Sequence, residues 1–188
     1  MRVIAGRYKG RVLKTVNNLS VRPATDRVKQ TVFDMLVNRM EFDGAAVLDL
    51  FAGSGSLGIE GLSRGAERVV FVENNPEAGR LIEHNLHVLG CKSSTEIHVA
   101  EAMHFIRHHT SSYDLIFADP PYSFEHTSEL PEVIFSGTLL KPDGYLLIEH
   151  ATDITFPSTE RYRVGPVKKF GRTVVSFFHC QGSLISTS

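Results

Sequence analysis

The segment Asp119-Pro120-Pro121-Tyr122 sets a carboxylate, two prolines and an aromatic ring in a row at the end of the apolar run that finishes in Phe117-Ala118. Prolines lack an amide hydrogen and hold φ fixed, so their carbonyls are aimed at little entropic cost. That arrangement suits a poor nitrogen nucleophile, such as the exocyclic amine of a nucleobase, whose lone pair is delocalised into the ring. Asp119 can accept one amine hydrogen and the Pro120 carbonyl the other, which localises the lone pair toward an electrophile. Tyr122 offers a ring on which an extruded base can stack.

An electrophile needs its own site, and Val47-Leu48-Asp49-Leu50-Phe51 runs directly into Ala52-Gly53-Ser54-Gly55-Ser56-Leu57-Gly58. Glycines after a strand let the backbone approach a ligand at a helix amino terminus. A tight turn, a dinucleotide loop and an S-adenosylmethionine loop all fit this pattern, and Glu73 stands at the spacing of a ribose-binding acid. Asp49 favours S-adenosylmethionine, since a carboxylate there repels a pyrophosphate and attracts ammonium and sulfonium charge. Glu73 can take both ribose hydroxyls, with Asn74 and Asn75 in the adjoining turn. Glu101-Ala102 lies on the same rim, where an acid can accept from the adenine amine, although Glu is also favoured in any first helical turn. The expected cofactor residues are therefore Asp49, Phe51, Ala52, Gly53, Ser54, Gly55, Glu73, Asn74, Glu101 and Ala102, and the expected catalytic residues are Asp119, Pro120, Pro121 and Tyr122.

These residues must be carried by strands that end on one edge. From residue 45 onward, strand-length apolar runs alternate with segments of helical period, the pattern of a parallel sheet with crossover helices. Strands are expected at 45–51, 68–73, 96–100, 113–118 and 144–150, with helices at 56–64, 76–89, 101–109 and 128–139. After His150 two strand-like runs, 161–168 and 173–180, meet at a short turn containing Gly171, which predicts a closing antiparallel hairpin. The fold class is α/β, a Rossmann-like sheet of the class I methyltransferase type. Upstream, 2–5 and 11–16 read as a β-hairpin or flexible arm around Gly6 and Gly10, and Thr25 or Asp26 as the cap of a helix running to about 40. The division expected is an arm and capping helix over 1–44, a catalytic domain over 45–180 and a disordered tail over 181–188.

Composition narrows the partners. The 188 residues carry a net charge of −1, but residues 1–30 hold eight Lys or Arg against the single acid Asp26, a net +7, while the remainder is net −8. Such an arm suits a phosphate backbone. Arg2, Arg7, Lys9, Arg11, Arg22, Thr25 and Arg27 are its expected contacts to such a backbone, with Arg22, Thr25 and Arg27 able instead to reach the cofactor's carboxylate. No apolar run approaches the length of a membrane span and no signal peptide is evident, so a cytoplasmic protein is expected. Cys91 and Cys180 are isolated, and the nine histidines supply only the pair His104 and His108 at helical spacing, so no metal is expected.

Order, spacing and termini together resemble the RsmD family of bacterial methyltransferases. The likeness is carried by Arg2-Val3-Ile4-Ala5-Gly6 with Gly10-Arg11, by Arg22-Pro23-Ala24-Thr25-Asp26-Arg27-Val28, by Asp49 through Gly55, by Gly61-Leu62-Ser63-Arg64-Gly65-Ala66 and by Asp119 through Tyr122. It implies methyl transfer from S-adenosylmethionine to guanine N2 in 16S ribosomal RNA of the small subunit, assembled or assembling, by a monomeric enzyme. Glu101-Ala102 stands where the family has Asp-Ala, and Ala24 replaces a threonine of the family's pattern. Two rivals remain at this level: a DNA adenine-N6 or cytosine-N4 methyltransferase using the same amine chemistry, and an RNA-binding module that has lost catalysis.

Overall fold

The computed structural model describes residues 1–15 and 23–182, the side chains of 23–25 excepted. Seven strands form one sheet: β1 (Ala46–Leu50), β2 (Arg68–Glu73), β3 (Thr95–Val99), β4 (Tyr113–Ala118), β5 (Leu140–Ala151), β6 (Tyr162–Phe170) and β7 (Thr173–Cys180). Their order is β3-β2-β1-β4-β5-β7-β6. The first five run parallel, and β7 pairs antiparallel with both β5 and β6. The strand order reverses between β1 and β4, and in open α/β sheets ligands bind outside the carboxyl ends of the strands at such a point.

Alternation along the strands sends one set of side chains to each face. Val47, Phe71, Phe117, Leu147 and Phe177 pack under α1 (Pro23–Leu36), α2 (Ser56–Ser63) and α3 (Pro76–Leu89). Leu48, Val70, Ile116, Leu146 and Phe178 pack under α4 (Ala102–His108) and α5 (Leu130–Ser136). Both faces are covered, so the central strands read as nearly continuous apolar runs. The sheet, its helices and its closing hairpin are the class I methyltransferase architecture. No helix among the described residues is long and apolar enough to cross a membrane.

Several expected boundaries move. The expected strands at 2–5 and 11–16 reduce to a single bridge between Arg2 and Val12, and the segment is docked rather than free. Val3 and Leu13 enter the core beneath α1, and Gly6 lies so close to α2 that a Cβ would meet the Ser63 carbonyl. Helix α1 begins at Pro23, placing Thr25 and Asp26 inside its first turn rather than at its cap, and it stops at Leu36, where a turn replaces the expected last helical residues. Helix α5 is shorter than expected because a 3-10 turn over Thr127–Glu129 precedes it and Pro131 fixes its first turn. Strand β5 starts earlier, at Leu140, through a register shift against β4. Most of the tail expected to be disordered lies outside the described residues, as do Arg22 and the side chain of Thr25.

Candidate active site at the carboxyl edge of the sheet

Strand β1 delivers Asp49 and then the glycine loop. Phe51 takes a positive φ of 60°, and Gly53 and Gly55 follow at 54° and 76°, so three of five residues hold a conformation that side chains disfavour. The strain is held by hydrogen bonds: the Ala52 amide donates to the Val72 carbonyl at 3.0 Å and the Gly55 amide to the Ala52 carbonyl at 2.7 Å. Gly58 completes the spacing for a steric reason, since a Cβ there would stand 2.4 Å from the Phe71 ring. Its absence lets α2 lie close on β2.

Each carboxylate expected to hold the cofactor accepts from backbone amides. Asp49 Oδ2 accepts from Gly58 at 2.8 Å. Glu73 Oε2 accepts from Gly53 and Oε1 from Asn75, both at 2.8 Å, which fixes the plane of the carboxylate and leaves each oxygen a further lone pair. Glu101 caps α4, its two oxygens accepting from Met103 at 2.9 Å and His104 at 2.7 Å. Asn74 is exposed beside Glu73, and Ala102 is buried at the start of α4. Burial pushes the Asp49 carboxyl up to about 8, opposed by the Gly58 amide and assisted by the charges of Asp119 and Glu73. A nearly inaccessible carboxylate with so raised a pKa gains most from a cationic ligand, so this donor set fits an ammonium-bearing cofactor with a ribose.

Across the reversal point, Ala118 ends β4 next to Leu50 of β1 and the chain turns through Asp119, Pro120, Pro121 and Tyr122. Tyr122 is exposed, and its hydroxyl is 2.9 Å from Thr173 Oγ1 in the closing hairpin. Asp119 is open to solvent by surface area yet hemmed in by protein, and desolvation pushes its carboxyl up to about 6. A cavity beside it is lined by Met1, Val28, Lys29, Ser56 and Leu57 and by Phe117, Leu147, Glu149 and Val175 of the sheet. A wider polar depression containing Arg68, Glu96 and Lys141 lies at the opposite, amino-terminal edge of the strands, away from all of these groups.

Three functional candidates escaped the sequence reading. Glu149, near the end of β5, has its carboxyl pushed up to about 8 by burial and by the Asp119 charge. It carries no glycine or proline signature, and only the β4–β5 register, Ala118 against Ile148, places it. Lys29 and Glu60 form a buried clasp. Lys29 Nζ donates to the Arg2 carbonyl at 2.7 Å and to Ser56 Oγ at 3.0 Å, and lies 3.7 Å from Glu60. Glu60 in turn accepts from the amides of Ile4 at 2.8 Å and Ala5 at 3.0 Å. Burial lowers the Lys29 pKa against the pull of Glu60, and its charge, counted from the sequence with the basic arm, is internal. Arg2, Arg7, Lys9, Arg11 and Arg27 remain exposed.

Comparison with known proteins follows the same outline. The family model described as Conserved hypothetical protein 95 matches residues 1–179. A Bacillus subtilis (strain 168) protein, YlbH, provisionally named an rRNA methyltransferase, is 37% identical over 186 residues, covering 97% of this chain and 100% of its own. The Haemophilus influenzae protein named Ribosomal RNA small subunit methyltransferase D is 32% identical over 180 residues, covering 94% and 91%. Among solved structures, the provisionally named Escherichia coli methyltransferase yhhF superposes with a TM-score of 0.84 at 27% identity, covering 96% of this chain and 99% of that one.

Proposed function

The chain belongs to the RsmD family, matched along nearly its whole length by the Conserved hypothetical protein 95 model, and is an S-adenosylmethionine-dependent methyltransferase; we propose that it methylates the exocyclic N2 amine of a guanine in small-subunit ribosomal RNA. The observation that carries the choice of chemistry is the meeting of two differently prepared edges at the β1–β4 reversal. On one stands an anchored acid set suited to a cationic nucleoside. On the other stands an acid with free acceptor capacity, beside two prolines and an exposed aromatic ring.

Asp49 would hold the ammonium of the cofactor, Glu73 its ribose hydroxyls and the rim at Glu101-Ala102 its adenine, with Phe51 through Gly55 against its backbone-facing side. When bound, S-adenosylmethionine supplies a methyl group made electrophilic by its sulfonium. The chain's own contribution lies in the target amine. Tyr122 stacks on the flipped base, whose removal from a helix costs a few kcal/mol. Asp119 and the Pro120 carbonyl accept the two amine hydrogens, Pro121 rigidifies the turn, and the nitrogen lone pair is directed to the methyl. As the N–C bond forms and the methyl–sulfur bond breaks, the sulfur retaining the bonding pair as a neutral thioether, one N–H proton leaves the nitrogen. Asp119 accepts it and releases it to solvent, which a carboxyl near pKa 6 does readily at neutral pH.

The arm supports the choice of polymer. Arg2, Arg7, Lys9 and Arg11 lie exposed on a segment fastened to α1 and α2 through Lys29 and Glu60, Arg27 lies exposed on α1, and Arg22 and Thr25 extend the same stretch of sequence. We read the substrate as rRNA in an assembling or assembled small subunit, approached by a monomer. Mass analysis of nucleosides after reaction of the enzyme and labelled cofactor with undermethylated small subunits, and separately with their naked RNA, tests this. N2-methylguanosine is expected. N6-methyladenosine or N4-methylcytosine overturns the base assignment, and RNA binding with no transfer to any nucleoside overturns the catalytic reading.

A further inference from the structure

The net charge of −8 outside the arm conceals a second basic segment. Residues 161–180 contain Arg161, Arg163, Lys168, Lys169 and Arg172 and no acid. All five are exposed. Arg161 pairs with Glu132 at 2.8 Å, whereas Lys168, Lys169 and Arg172 have no acidic partner within ion-pair distance among the described residues.

Register puts these three at the active-site rim. Ala118 pairs with Ile148, and Ala151 three residues further on pairs with Thr173, so the β6–β7 turn projects from the same edge as Asp119. Thr173, the first residue of β7 after that turn, lies 2.9 Å from the Tyr122 hydroxyl. Lys168 stands opposite Val175, which lines the cavity with Asp119 and Glu149. Strand β7 is two strands from β4, about 10 Å at the usual spacing between neighbours. Met1, the first residue of the arm, lines the same cavity. The cavity is lined mainly by apolar side chains, and its one cationic side chain, Lys29, is already engaged, so a chain that delivers a base into it has to be held by its phosphates outside it.

We propose that the β6–β7 turn, through Lys168, Lys169 and Arg172, is a second RNA-contact surface that grips the backbone beside the target base at the carboxyl edge of the sheet. The proposal rests on the reading of RNA as substrate. Lysines on an edge strand also deter pairing with a foreign sheet, and β6 is an edge strand. That role does not account for Arg172 in the turn or for the fastening of the turn to Tyr122. Each phosphate neutralised on a single strand contributes about 0.7 to the slope of log affinity against log salt, so three contacts contribute about 2.

The test replaces Lys168, Lys169 and Arg172 together by Gln and measures binding of undermethylated small-subunit RNA from about 50 to 200 mM salt. The unaltered protein and a charge-keeping variant, Lys168→Arg, Lys169→Arg and Arg172→Lys, serve as references. The neutralised variant is expected to lose about 2 from the slope, raise KM for RNA and keep its affinity for S-adenosylmethionine, while the charge-keeping variant follows the unaltered protein. A slope unchanged in the neutralised variant, with RNA binding intact in the reference, overturns this surface alone. A reference that neither binds nor methylates RNA overturns the substrate reading and this proposal with it. If the triple variant fails to melt cooperatively, Arg172→Gln alone, in the turn, is measured for a slope loss of about 0.7.

Discussion

The two halves of the site are built on opposite plans. On the β1–β2–β3 side, Asp49, Glu73 and Glu101 each accept backbone hydrogen bonds, five in all at 2.7 to 2.9 Å. On the β4–β5 side, the carboxylates of Asp119 and Glu149 accept none among the described residues, and burial drives both pKa values up. The first half is preorganised for a ligand that is the same in every turnover. In the second, under the proposed function, the acceptor capacity is left for the reacting base, which would make its strongest hydrogen bonds there as charge develops. Breaking one plan and then the other should therefore give different failures.

Asp119→Ala should be the most damaging change to catalysis. Turnover is expected to fall by roughly 10³-fold, about 4 kcal/mol of transition-state stabilisation, because the amine loses its acceptor at the moment it attacks. Cofactor affinity, read by calorimetry, should hardly move, since no anchored acid is touched. A loss of cofactor binding equal to the loss of turnover would show that the halves are not separate.

Glu60→Ala attacks the anchored plan where it extends into the arm. The amides of Ile4 and Ala5, the buried Lys29 and the half-buried Arg64 lose a common partner. Breaking one side of a buried pair costs about 3 kcal/mol or more, to be read from denaturant unfolding. The variant should also expose the arm to proteolysis. Glu73→Gln is milder. An amide offers one acceptor oxygen where two backbone amides now find two, so about 1–2 kcal/mol of cofactor affinity should go, with kcat on saturating cofactor largely kept.

The same contrast explains what could be read without coordinates. Asp49, the glycine loop, Glu73 and the Asp119–Tyr122 turn announce themselves because glycine and proline mark backbone conformations, and an acid beside them at a strand end is conspicuous. Glu149 is an acid in an apolar strand, and nothing local says that β5 ends beside β4. Lys29 reads as one more cation of a basic arm until the fold buries it against Glu60. Lys168, Lys169 and Arg172 vanish into the charge of a long acidic remainder, and only the antiparallel register returns them to the rim. Glu101 shows the converse: it was noticed for a ligand role, and the fold gives its carboxylate the helix-capping role that its position also favours. The arm's short bridge and the early end of α1 are not legible locally because the packing of Val3, Leu13 and Leu36 in the core, rather than local propensity, decides them.

The smallest expected effects are in pH, and here the signs of the two plans diverge. Asp119 must be ionised to accept from the amine, so kcat/KM should rise about tenfold per unit as pH approaches about 6 and then level. Glu149→Gln should leave one rising limb and remove the higher of the two ionisations, because the Asp119 charge is what helps hold the proton on the pair. Stability of the ligand-free protein runs the other way. Asp49 binds its proton in the fold at pH values where the unfolded chain has released it, so its contribution is greatest near pH 4 and is lost as pH rises toward about 8. A cation placed against Asp49 favours the ionised form and draws that pKa down. Binding of S-adenosylmethionine should then release a proton, and the rise in Tm it produces should grow from about pH 6 to about 7.5. Asp49→Asn should flatten that growth while the catalytic limb near 6 stays where it was. If the substitution instead moves the catalytic limb by a full unit, the two carboxylates titrate as one system and the division between an anchored half and an open half does not hold.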